Sequence, residues 1–166
     1  MLAQPRFISR MVGVIAAVGL TVLLSGAKAH AQSASVTNFS ATGSPGGYYD
    51  VTDTVNVGIT FNNMPSSGSF GYGILANYYY YSGAYASGTL LGSGTRGVYS
   101  GNGAFYAGTS TISNTVYVNT PDLLRASEPA GTQSILYVYS LQGGGGCNGW
   151  SGPFSAGSSN AFVVHG

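Results

Sequence analysis

Val55, Val57, Ile59 and Phe61 alternate with Thr54, Asn56, Gly58 and Thr60. A period of two puts the four apolar side chains on one face of an extended backbone and the polar ones on the other, the pattern of a half-buried strand. A second alternation sets Ile112, Asn114, Val116 and Val118 against Ser113, Thr115, Tyr117 and Asn119. No stretch sustains a 3.6-residue apolar repeat, so a mainly helical domain is not expected, and no repeat of fixed period points to a solenoid. Further strands are expected at residues 35–41, 73–81, 89–91 continuing toward 99, 133–141 and 161–165. Turn signals separate them: Gly43-Ser44-Pro45-Gly46-Gly47, Met64-Pro65-Ser66-Ser67-Gly68, Ser82-Gly83, Gly101-Asn102-Gly103 and the long segment 143–157. One connection reads as helical, with Thr120 as cap, Pro121 in the first turn, Asp122 at the positive end and Pro129-Ala130-Gly131 beyond it. About seven short strands separated by turns predict an all-β fold, a single antiparallel β-sandwich over residues 32–166.

The N-terminus predicts export. Arg6 and Arg10 precede an apolar run from Met11 to Leu24, and Ala29-His30-Ala31 places small residues where a signal peptidase reads them. Residues 1–31 are therefore expected to be a cleaved signal peptide. The run is shorter than the roughly 20 helical residues needed to cross a bilayer, and no cysteine follows it to carry a lipid. The expected destination is the periplasm, the cell surface or the extracellular space. Residues 32–166 retain Arg96 and Arg125 against Asp50, Asp53, Asp122 and Glu128, with no lysine. Two cations cannot neutralise a run of phosphates, which excludes nucleic acid as a partner and gives anionic membranes little to attract. Solubility then rests on hydroxyls, amides and backbone, and scarcity of charge favours association. Disorder is not expected, because aromatic and β-branched residues are plentiful.

Three segments, Val55-Asn56-Val57-Gly58-Ile59-Thr60-Phe61, Val116-Tyr117-Val118-Asn119-Thr120-Pro121 and Ile135-Leu136-Tyr137-Val138-Tyr139-Ser140, fall where the second, fifth and sixth strands of a sandwich would. In this order the chain resembles the immunoglobulin-like or fibronectin-type sandwiches of secreted bacterial proteins. The antibody-type pair of cysteines is missing, and the one tryptophan, Trp150, falls in an expected loop rather than on the third strand. A jelly roll or a small barrel fits the same spacing.

Chemistry-bearing residues are few. A Cys147/His165 pair would place its base at the penultimate residue, where chain ends fray. Asp122, Arg125 and Glu128 read as an ion-pair cluster at helical spacing. Asp50 and Asp53 are candidates to help ligate calcium, although two carboxylates fall short of the six to eight oxygens it takes; zinc has no ligand set, and no cofactor is expected. Cys147, in Gly-Gly-Gly-Gly-Cys-Asn-Gly-Trp, is a candidate for an intermolecular disulfide.

Tyr78, Tyr79, Tyr80 and Tyr81 are consecutive, so in a strand two face each way and one side presents phenols to the outside. With Trp150 they form a candidate contact platform, since tyrosine joins a rigid apolar ring to a polar tip. These observations favour a non-enzymatic module that self-associates or adheres to another surface protein, as a fibre or matrix subunit does. A carbohydrate-binding module using the same rings on a polysaccharide is the alternative, and a secreted hydrolase a third.

Overall fold

The alternating segment around Val57 is the central strand of one of two sheets. The computed structural model describes residues 31–43, 51–147, 150–157 and 160–165. The chain divides into units Met1–Ala31 and Gln32–Gly166; the second is described here, and residues 1–30, read above as most of a signal, lie outside the described residues. Among the described residues the elements run β1 (Ser33–Thr42), β2 (Asp53–Met64), β3 (Gly68–Tyr81), β4 (Leu90–Phe105), β5 (Gly108–Val118), α1 (Thr120–Arg125), β6 (Ser134–Cys147), β7 (Trp150–Ala156) and β8 (Ala161–His165). The fold is all-β, with every strand pairing antiparallel. One sheet has the order β1-β2-β5 and the other β4-β3-β6-β7, with β8 also on β6. Strand β6 is shared along its length: Ser134–Val138 pair with β8 and Leu141–Cys147 with β7.

Among the described residues eight strands form where about seven were expected: the added one, β7, lies inside the expected 143–157 loop, and two glycine-rich turn signals are strand instead. Gly101-Asn102-Gly103 is not a turn but the interior of β4, and Gly143–Gly146 extend β6 instead of opening a loop. The cause is steric. Gly103 pairs with Phe70, Gly101 with Tyr72 and Gly94 with Tyr78 across the β3–β4 ladder. A Cβ at Gly103 would sit 2.6 Å from the Phe70 ring, one at Gly101 2.9 Å from Tyr72, and one at Gly94 2.5 Å from the Tyr78 hydroxyl. The rings of β3 thus lie across β4 in the space that side chains there would fill. Gly103→Val is expected to cost about 2 kcal/mol by overpacking, read as a lower urea midpoint; an unchanged midpoint would mean that Phe70 has somewhere else to go. Glycine's backbone freedom matters at Gly108, which leaves the β4–β5 connection with φ 84.

Buried side chains from both sheets join in one core. The inward row of β2 (Val55, Val57, Ile59, Phe61) meets Phe70 and Ile74 of β3, Phe105 of β4, Val116 of β5, and Tyr139 and Leu141 of β6. At one end Phe61 stacks on Phe105 with centroids 4.5 Å apart and touches Phe70 at 5.1 Å and Phe154 at 6.2 Å. The expected helical turn forms, but its cap is Asn119 rather than Thr120: the Asn119 side chain accepts from the Asp122 amide, and Thr120 is buried. The helix packs Leu124 into the core. Its last carbonyls, orphaned by helix geometry, receive the Tyr80 hydroxyl (on Leu124, 2.7 Å) and Arg96 Nη1 (on Leu123, 2.7 Å).

Candidate functional site

Asp53 is the most unusual polar residue of the interior. As the first residue of β2 it takes the inward position of the alternation, is 0% exposed, and lies in the core instead of at an open strand mouth. Its Oδ2 accepts from Tyr137 at 2.6 Å and Tyr139 at 2.5 Å, two inward residues of β6. The Tyr139 hydroxyl also lies 2.6 Å from Thr120 Oγ1. Oδ1 has no hydrogen-bond partner among the described residues; Gly43 approaches it so closely that a Cβ there would come within 2.8 Å. Phe162 of β8 stacks on Tyr137 at 5.4 Å and meets Tyr139 edge-on at 5.8 Å. Burial raises the Asp53 pKa above its ordinary value, and the two tyrosine hydrogen bonds pull it only part of the way back. Burial first, and then the hydrogen bond to Asp53, push both phenols far above their ordinary value. Among the described residues no three His, Cys, Asp or Glu side chains come together as metal ligands. Asp50, the other calcium candidate, lies outside the described residues.

The tyrosine run divides two and two. Tyr78 and Tyr80 face inward, Tyr80 being only 3% exposed and tied to Leu124 by its hydroxyl. Tyr79 and Tyr81 face outward, Tyr79 at 38% exposure and Tyr81 edge-on to Tyr85 at 5.5 Å. The outward tyrosines have company that alternation alone does not announce. Tyr79 pairs with Leu136, and Leu136 with Val163, so one apolar row crosses β3, β6 and β8. Val138 and Ala161 lie paired in the next row, and Leu90 stands opposite Tyr81 at 52% exposure. Beyond them, toward the other end of the same face, the chain thins to Gly71 and Gly73, which floor an open hollow of about 690 Å³ with Ser100, Gln142 and Ser155 at its sides.

Trp150 opens β7 and is paired with Cys147, so both belong to strand ends and not to the expected loop; the Trp150 side chain lies outside the described residues. Cys147 is half-buried against the core. His165 pairs with Ser134 at the opposite end of β6. At about 3.3 Å per residue the two ends of that strand are roughly 40 Å apart, so the Cys147/His165 pair is not assembled. The charged side chains gather elsewhere: Asp122 and Arg125 belong to α1, Glu128 follows it, Arg96 reaches its end and Asp53 is buried. Among the described residues, the outward positions of both sheets carry no Asp, Glu, Lys or Arg.

No family model matches the chain, and no curated protein does. Among solved structures it is similar to the solution structure of a late embryogenesis abundant (LEA) protein, at 14% identity over 95% of this chain and 87% of that one, with a TM-score of 0.31. It is also similar to beta-glucosidase 3B from Thermotoga neapolitana in complex with glycerol, at 13% identity and a TM-score of 0.34, over 79% of this chain and 17% of the enzyme. Scores this low leave both likenesses without functional weight.

Proposed function

We propose that residues 32–166, exported after loss of the N-terminal segment, act without catalysis as a self-associating module of a fibre or matrix outside the inner membrane. The observation that carries this reading is the row Tyr79–Leu136–Val163 with Val138 and Ala161 beside it. In β6 the residues Ile135 to Tyr139 are apolar on both faces, the character of a strand covered on both sides. The inward face has its core; the outward one calls for cover from outside the domain, and with no charge on that face a second copy meets no repulsion.

The fold suited to this role is a two-sheet sandwich of immunoglobulin-like topology. The orders β1-β2-β5 and β4-β3-β6-β7 correspond to A-B-E and C′-C-F-G of such a sandwich, with D omitted and G broken into β7 and β8.

Leu136→Lys puts a charge in the middle of the apolar row without touching the core. Light scattering is expected to show high-order species for the wild type and at least tenfold lower mass for the variant. A wild-type protein that stays a monodisperse monomer at high concentration would sink the proposal. A thiol reductant is expected to loosen the assemblies further where Cys147 bridges copies.

A further inference from the structure

The face of the other sheet has a different chemistry. Every outward position of β1, β2 and β5 from 33 to 42, 54 to 62 and 109 to 115 is Ser, Thr, Asn or Gly, and Tyr117, 71% exposed, stands at one end. The registered rows Ser40–Asn56–Thr115 and Ser35–Thr60–Thr111 lie at its centre. Gly58, between those rows, is overhung by β1: a Cβ there would meet Asn38 Cβ at 3.1 Å and Thr37 Oγ1 at 3.3 Å. The groups hold one another in place, Thr60 Oγ1 lying 3.0 Å from Thr111 Oγ1 and Thr115 Oγ1 donating to Asn56 Oδ1 at 2.9 Å. Threonine is stiff about χ1, and these lateral bonds remove much of the freedom that remains. Each hydroxyl that gives its proton sideways keeps lone pairs for an outside donor.

We propose that this face is a docking surface for a neutral, hydroxyl-rich polysaccharide. Without cations it has nothing for phosphates or sulfates, and without carboxylates nothing for a metal or a basic peptide. It has no aliphatic centre of the kind that drives protein–protein contact. What it offers is a preorganised lattice of donors and acceptors, repeating about every 4.8 Å across the strands and about 6.7 Å along them, with one aromatic ring at the rim on which a sugar face can stack. A polymer that repeats the same few hydroxyls matches a surface that does so too. Ordering is paid in advance on the protein side, so many weak contacts add up on an extended or solid polymer. This face is separate from the row around Leu136, and the two readings stand or fall separately.

The test is depletion of the purified protein, residues 32–166, from solution by microcrystalline cellulose, chitin and granular starch. Binding to at least one solid is expected, and it should survive high salt because no charge is engaged. The triple variant Thr60→Val, Thr111→Val, Thr115→Val keeps β-branched shape while removing three hydroxyls; it is expected to fold, by circular dichroism, and to bind at least tenfold less. Gln142→Ala, exposed on the other sheet and outside the apolar row, is expected to bind as the wild type does. No depletion by any of the three solids, binding abolished by salt, or binding unchanged in the folded triple variant would each overturn the proposal. Loss of binding in Gln142→Ala alone would overturn it too, by moving the contact to the other sheet. If the triple variant is not folded, Tyr117→Ala and Thr115→Val singly replace it, with undiminished binding in both as the overturning result.

Discussion

Thermal unfolding in mildly acidic buffer is expected at a higher temperature than at neutral pH, and most of that difference is expected to vanish in Asp53→Asn. The sign follows from the direction in which burial moves the carboxyl. Burial raises the folded pKa of Asp53 above its unfolded value, so the folded state holds the proton more tightly than the unfolded one. Its favourable contribution is complete below the unfolded pKa and is lost as pH climbs through the folded one. Every tenfold gain in proton affinity on folding corresponds to about 1.4 kcal/mol. The groups facing Asp53 sharpen the expectation: Tyr137 and Tyr139 come from β6, Thr120 from α1, Phe162 from β8 and Gly43 follows β1. Both tyrosines stay protonated throughout, and among the described residues no cation opposes the effect of burial.

The hydrogen-bond inventory of the carboxyl points the same way. An ionised Asp53 would leave Oδ1 as a buried charged oxygen with no partner among the described residues. Unfolding temperatures that rise from acid to neutral pH, or a pH slope unchanged in Asp53→Asn, would contradict this account.

Phe61→Ala is expected to remove about 3–5 kcal/mol, enough to unfold much of a domain whose total stability is of order 5–15 kcal/mol. Phe61 is 0% exposed and is the hub of an aromatic cluster drawn from both sheets, with Phe70, Phe105 and Phe154 around it. Truncation would leave a cavity that rigid rings on strands fill poorly. Chemical denaturation measures the loss; a change below about 1 kcal/mol would mean that the rings collapse into the space, against the usual cost of such cavities.

The legible parts of this fold are those set by local pattern. The β2 alternation, the two-and-two division of Tyr78 to Tyr81 and the helical turn at Pro121 all follow from side-chain direction or backbone geometry within a few residues. The glycines of β4 and β6 did not yield to the same reasoning. A glycine that opens a turn and one that lies beneath a ring have the same neighbours in sequence, and the ring over Gly103 belongs to Phe70 on another strand. Asp53 was equally opaque, since its partners stand 84 and 86 residues away and an aspartate before a strand is ordinarily solvated. Leu136 and Val138 were recoverable: five successive apolar residues in one strand exceed what a single core can take, a signal separate from the period of the strand.

Strand β6 carries two short partners in place of one long one, five residue pairs to β8 and seven to β7. The final strand can therefore peel in two steps, and the first would lift Phe162 from the rings that shield Asp53. Water reaching that carboxyl would let it ionise, and ionisation in turn would hinder β8 from closing. Backbone hydrogen exchange in residues 161–165 then becomes a readout of a proton held some distance away in the chain, quickening with pH beyond the rise intrinsic to amide exchange.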